Sequence, residues 1–399
     1  MIQGEKSSEM LSTVLIKEGE LYSPSYQGKK DVLVINGKIH LVENDLCVDY
    51  IKRVFPELKV INAKGLIVAP GIIDQHNHFA GAGGEGGEEF RTPPAPITSF
   101  LEAGITTAIG LLGTDGVGRT LEELLAKARS LEKEGISTYI YTGSYQFPSP
   151  TLTGDVMRDL YFFREIIGVK MALADHRSSY PSPFEIRRLL TKVRVGAMLA
   201  GKKGLVCVHM GSGDDMLTPL RDAIGGTDIP ITHIIPTHVG RTRELLLDTS
   251  RWVKEGGYAD LTAEEDLSEH LEFLKKQGAS IERLTVSSDG NGSLPEFDEK
   301  KQLVGMSIGK PKSIIKSLKR AKKEGVVSVE EAFKLVTSNV ADLLGLKHKG
   351  RITPGCDADI LVLEEESFNI LALIAKGKVL VENGVMLYKG MFGGMPKDI

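Results

Sequence analysis

The chain predicts an α/β protein, a (β/α)8 TIM-like barrel with a small β-sandwich domain formed from both chain termini. Two observations predict that architecture and a third predicts its use. Apolar, strand-like runs alternate with helical stretches eight times between residues 66 and 350. Both ends of the chain read instead as short strands joined by turns. Four histidines, a lysine and an aspartate fall at the C-terminal ends of the barrel strands, which is where a barrel carries its chemistry.

The N-terminal segment carries strand signals at residues 14–17, 31–35 and 39–42, with Asn36-Gly37 between the last two. Asn-Gly between β-rich runs is a strong hairpin signal, and the whole segment reads as all-β. Residues 358–363 and 370–381 repeat the pattern, followed by the turn Asn383-Gly384. Residues 1–65 and 351–399 are therefore expected to form one small β domain, and residues 66–350 the barrel that would carry the chemistry of its strand ends. Barrel strands are expected near 66–78, 105–114, 137–146, 167–175, 204–210, 232–239, 257–262 and 283–289. Leu121, Leu124, Leu125, Ala128 and Leu131 keep a helical stripe that stops at Gly135. Further helices are expected near 183–203, 241–255, 264–279, 311–325 and 328–345.

With 399 residues, 41% hydrophobic, 26% charged and a net charge of −4, the composition is that of an ordinary globular protein. Nothing points to nucleic acid or to an anionic membrane. The N-terminus, Met1-Ile2-Gln3-Gly4-Glu5-Lys6, is polar, and no apolar run reaches spanning length. Cys47, Cys207 and Cys356 are odd in number and lack a CxxC spacing, so they read as reduced thiols in a cytoplasmic protein.

His76 and His78 end the first barrel strand. Residues i and i+2 of a strand share a face, so both imidazoles can ligate one metal ion. Strand four carries Lys170, while His209 ends strand five, His238 strand six and Asp289 strand eight. All six would converge at one end of the barrel. His40, His176, His233, His270 and His348 read as structural or surface residues. Lys170 follows Ile166-Ile167-Gly168-Val169, so it would be buried and costly as a cation. One explanation is an ion pair with Asp175 or Asp289. The other is reaction of the neutral amine with carbon dioxide, giving an anionic carbamate able to bridge two metal ions.

This set of strand-end ligands resembles the binuclear amidohydrolase superfamily. Further stretches resemble the isoaspartyl (β-aspartyl) dipeptidases within it. They are Gly81-Ala82-Gly83-Gly84-Glu85, Gly143-Ser144-Tyr145, Gly168-Val169-Lys170 with Asp175-His176-Arg177-Ser178, Pro236-Thr237-His238-Val239-Gly240-Arg241, and Ser288-Asp289-Gly290. The resemblance implies two divalent metal ions, zinc before manganese, cobalt or iron, and a carbamate on Lys170. It also implies a homo-oligomer, often an octamer, and a small dipeptide substrate joined through the aspartate side chain. Glu85 would receive the substrate ammonium. Gly83, Thr114 and Ser293 would hold the aspartyl α-carboxylate, and Arg177 and Arg241 the other carboxylate. Asp289 would act as general base and then general acid, and Tyr145 would stabilise the oxyanion. A cyclic-amide hydrolase of the dihydroorotase or hydantoinase kind, or a non-catalytic barrel, are the alternatives.

Overall fold

A computed structural model describes residues 12–297 and 303–391. The polar stretch at residues 1–6 lies outside them. Eight parallel strands run in sequence order: Ile72–Asn77, Ile105–Gly110, Ser137–Gly143, Ile166–Leu173, Leu205–Met210, Ile234–Thr237, Ala259–Thr262 and Leu284–Ser287. A bridge between Asn77 and Gly290 closes the ring, with the His78 amide donating to the Gly290 carbonyl at 2.8 Å. The strands read as near-continuous apolar runs because helices cover one face and the barrel interior buries the other. Helix Leu121–Glu134 buries the predicted stripe, and Thr120 caps it by accepting from the Glu123 amide. Helix Pro183–Leu199 starts with a reciprocal Ser182–Glu185 capping box.

The strand-rich ends meet in one nine-stranded sheet. Val14, Ile16, Val34, Val68, Ile360 and Ile374 form a buried core of their own in this terminal unit. The Asn36-Gly37 hairpin is present, with positive φ at both turn residues (48° and 79°), the conformation that favours this dipeptide.

The structure departs from the sequence reading in four places. The apolar run at 66–78 divides at Gly71: Ile67–Pro70 pairs antiparallel with Ile360–Leu363 in the terminal sheet, and the barrel begins at Ile72. A run buried on both sides carries no mark of which sheet it joins. The N-terminal segment is not all-β. Helix Val48–Val54 packs its single buried residue, Ile51, against Leu15, Leu33 and Leu58, too little periodicity to detect. The last predicted helix is two, Val329–Lys334 and Ser338–Leu344, broken at Thr337 (φ −133°, ψ −89°). A hairpin, Ser293–Phe297 with Leu303–Ile308, follows strand eight. Among the described residues no helix is long and apolar enough to cross a membrane.

Lys202 locks the outer layer to the barrel. Its ammonium donates to the carbonyls of Leu160, Phe163 and Ile166 at 2.5–2.8 Å, which terminate helix Val156–Phe162 and open strand four. Burial pulls its pKa down to about 8. Lys202→Ala leaves these carbonyls without that donor, and thermal unfolding is expected to report a loss of about 1–3 kcal/mol.

Candidate active site

The strand ends open into a cavity of ≈ 510 Å³ lined by His78, His209, His238 and Asp289, with His76 and Lys170 buried near them. The first strand sets His76 and His78 side by side, ring centroids 5.5 Å apart. His76 Nε2 lies 3.4 Å from Lys170 Nζ and 3.4 Å from Asp289 Oδ1, and His78 Nε2 lies 3.2 Å from the same oxygen. A relay fixes the His76 ring. Thr237 gives its only hydroxyl proton to Asp260 at 2.8 Å and meets His76 Nδ1 with its oxygen at 3.3 Å. That oxygen accepts, so Nδ1 carries the proton and the Nε2 lone pair faces the cluster. Asp260 also receives Gln75, Thr285 and Ser287 at 2.6–2.8 Å, and burial lifts its pKa to about 6.

His238 and Asp289 leave their strands in left-handed conformations, with φ of 61° and 49°. For non-glycine residues such a conformation is uncommon and clusters at functional sites. Here the turn swings each side chain across the strand ends. His238 Nδ1 bonds Thr262 at 2.7 Å. Its Nε2 and Asp289 Oδ1 are buried and have no hydrogen-bond partner among the described residues. Burial and Lys170 keep His76 neutral, and burial keeps His209 and His238 neutral. Burial opposes ionisation of Asp289, but His76, His78 and Lys170 hold its carboxyl well below the usual carboxylate range.

Lys170 is completely buried, with His76 Nε2 at 3.4 Å and Cys207 Sγ at 3.8 Å. No carboxylate pairs with it among the described residues. Asp175, one of the two partners considered from sequence, is bound by Arg177 and His209 instead. Burial pushes the Cys207 thiol up to about 11 and lowers the Lys170 amine. The result is a lysine without a counter-ion beside a neutral thiol.

The residues expected from sequence to contact a substrate line the same cavity. Tyr145 Oη lies 2.7 Å from His209 Nδ1, and burial raises its pKa so that it stays protonated. Arg177 Nη1 reaches Glu85 at 3.3 Å and Thr114 at 3.5 Å. Ser293 Oγ bonds both Glu85 oxygens at 3.1–3.2 Å. Arg241 lies on the wall. Gly83 sits in a turn with φ 88°, where a Cβ would lie 2.1 Å from the Phe90 carbonyl. Only glycine fits that turn.

Sequence reasoning missed part of the wall. Glu264, Glu265, Asp266 and His270 stand at the cavity after strand seven. That strand carries no ligand, so nothing marked its loop. Asp175 entered the sequence reading as a partner for Lys170 and within the Asp175-His176-Arg177-Ser178 motif; its contact to His209 was not legible, because it joins two strands.

The donor set suits metal ions. His76, His78 and Asp289 present ligand atoms within 4.8 Å of one another; the centroid of the His238 ring lies 4.8 Å from that of His76 and 4.7 Å from that of His209, and Lys170 Nζ lies 3.4 Å from His76. Neutral imidazoles, an ionised carboxylate and orphaned polar atoms are what a divalent cation satisfies.

The amidohydrolase family profile matches residues 67–380. A β-aspartyl dipeptidase from Fervidobacterium islandicum AW-1, solved with β-Asp-Leu, is 40% identical. The match covers 95% of this chain and 100% of that one, with a TM-score of 0.88. A dihydroorotase from Aquifex aeolicus is 24% identical, over 94% of this chain and 99% of its own length. An adenine deaminase from Bacillus velezensis is 23% identical, over 85% of this chain; the match spans about half (54%) of the deaminase.

Proposed function

The chain belongs to the amidohydrolase family, among the β-aspartyl dipeptidases, and from that premise we propose that it hydrolyses the isopeptide bond of β-aspartyl dipeptides. The observation that carries this reading is the pairing of Glu85 with Arg177 and Ser293, in the cavity that also holds the metal-type ligands. A β-aspartyl dipeptide brings an ammonium and two carboxylates; Glu85 offers an anion for the ammonium, and Arg177 and Arg241 offer cations for a carboxylate, with Glu264, Glu265 and Asp266 on the wall after strand seven. We place the catalytic unit in residues 66–350, less the Ile67–Pro70 strand that joins the terminal sheet, with zinc as the metal, a carbamate on Lys170 and assembly into a homo-oligomer.

His76, His78, Lys170, His209, His238 and Asp289 would hold two divalent ions, which when bound lower the pKa of a water and polarise a carbonyl. The remaining work falls to the protein's own groups. Glu85 binds the substrate ammonium. Arg177 and Arg241 hold the carboxylate of the leaving residue, while Gly83, Thr114 and Ser293 hold that of the aspartyl part. Tyr145 donates to the scissile carbonyl oxygen as negative charge develops there. Asp289 accepts the proton of the attacking water and returns it to the leaving amine, which must be protonated to depart.

The test is hydrolysis of β-Asp-Leu, α-Asp-Leu and dihydroorotate by one preparation of known metal content. β-Asp-Leu is expected to be the preferred substrate by about 10²-fold or more in kcat/KM. Preference for dihydroorotate would refute the reading.

A further inference from the structure

Asp175 follows strand four, and its carboxylate is 4% exposed. Oδ1 accepts from the Arg177 amide at 2.9 Å and from Arg177 Nε at 2.8 Å. Oδ2 accepts from Arg177 Nη2 at 2.9 Å and faces His209 Nε2 at 3.1 Å. A carboxylate only accepts, so this last contact is a hydrogen bond when Nε2 carries the imidazole proton. Arg177 Nη2 also lies 3.3 Å from Nε2. A lone pair on Nε2 could accept from it, but would then point at the carboxylate. With the proton on Nε2, the Nδ1 lone pair faces the cavity and accepts from Tyr145 at 2.7 Å. The same carboxylate fixes two edges of the Arg177 fork, leaving Nη1 directed at Glu85 and Thr114.

We propose that Asp175 is a positioning residue that serves both halves of the site: it sets the His209 tautomer for metal ligation and aims Arg177 at the substrate. The proposal rests on the reading of the site as a metal-dependent β-aspartyl hydrolase. Its physical core is that four donors converge on two oxygens. Asparagine keeps the shape but turns one acceptor into a donor. With its NH2 toward His209, the imidazole proton moves to Nδ1, where it blocks a metal. With its NH2 toward Arg177, two donors oppose each other and the fork is released. One of the two functions fails in either orientation.

The test is Asp175→Asn, read by zinc affinity in a chelator competition and by KM for β-Asp-Leu at saturating zinc. Zinc affinity is expected to fall about 10–100-fold, or KM to rise about tenfold or more with kcat falling less. Asp175→Glu, which keeps both acceptors, should recover part of either loss. Both readouts within about threefold of the parent protein would overturn the proposal, as would a lowered Tm with neither readout moved. Should Asp175→Asn fail to fold, imidazole 15N shifts of the metal-free parent protein decide the matter. A proton on His209 Nε2 supports the proposal, and a proton on Nδ1 overturns it. Failure of the parent protein to cleave β-Asp-Leu would sink the substrate reading, while the zinc titration and the tautomer still test Asp175.

Discussion

Lys170→Ala is expected to leave less than one metal ion per chain and to lower β-Asp-Leu turnover by roughly 10³-fold or more. The reason lies in what surrounds the amine. Lys170 is fully buried, 3.4 Å from His76 Nε2, with no carboxylate partner among the described residues. A structural lysine in that position would be expected to have a counter-ion, since an isolated buried ammonium is costly. Burial instead lowers the pKa of the amine, and the neutral form is the one that adds carbon dioxide. A carbamate at this position would carry the negative charge that the four histidines do not supply. Alanine removes that charge and opens space where the side chain lay. A small carboxylic acid should enter that space and restore part of both metal content and activity. Lys170→Met fills the same volume without an acceptor, so it should lose metal and resist the rescue. A fully metallated, active Lys170→Ala protein would refute the carbamate bridge.

Glu85→Gln should lower kcat/KM for β-Asp-Leu by about 10²-fold, the scale of a lost charge-assisted hydrogen bond in a cavity. Glu85 shares a surface with Arg177 and Ser293, so the substrate's ammonium can replace the arginine contact while a carboxylate takes up Arg177. Glutamine keeps the size of the side chain and its bond to Ser293, but not the charge. Metal content should stay at the parent level, because the contacts of Glu85 go to Arg177 and Ser293 and to none of the ligand residues. An N-acetylated substrate, which lacks the ammonium, should be cleaved equally poorly by parent and variant. Unchanged β-Asp-Leu turnover in Glu85→Gln would rule out the role assigned to this residue.

Much of the placement of these residues is legible in the sequence, for a local reason. A barrel strand delivers its functional side chain at its C-terminal end. His76, His78 and His209 could therefore be found by reading where apolar runs stop, and Lys170 as the one charged residue within the apolar strand Ile166–Leu173. Glycine-rich turns after the first strand marked the Glu85 loop in the same way. The acidic wall at Glu264, Glu265 and Asp266 was not legible, because its strand ends without a ligand. The tie between Asp175 and His209 was hidden because it joins two strands.

The sequence by itself determined the alternation of elements, the strand-end placement of the ligands and the sharing of one β-rich unit between the two termini. Periodicity and turn chemistry are local, so they survive in one dimension. Tertiary structure alone decided that the run around Gly71 divides between two sheets. It alone decided that His238 and Asp289 turn inward through left-handed backbone, and that Lys170 has no carboxylate partner while Asp175 binds Arg177 and His209. Those outcomes depend on which distant groups meet once the barrel closes through Asn77 and Gly290.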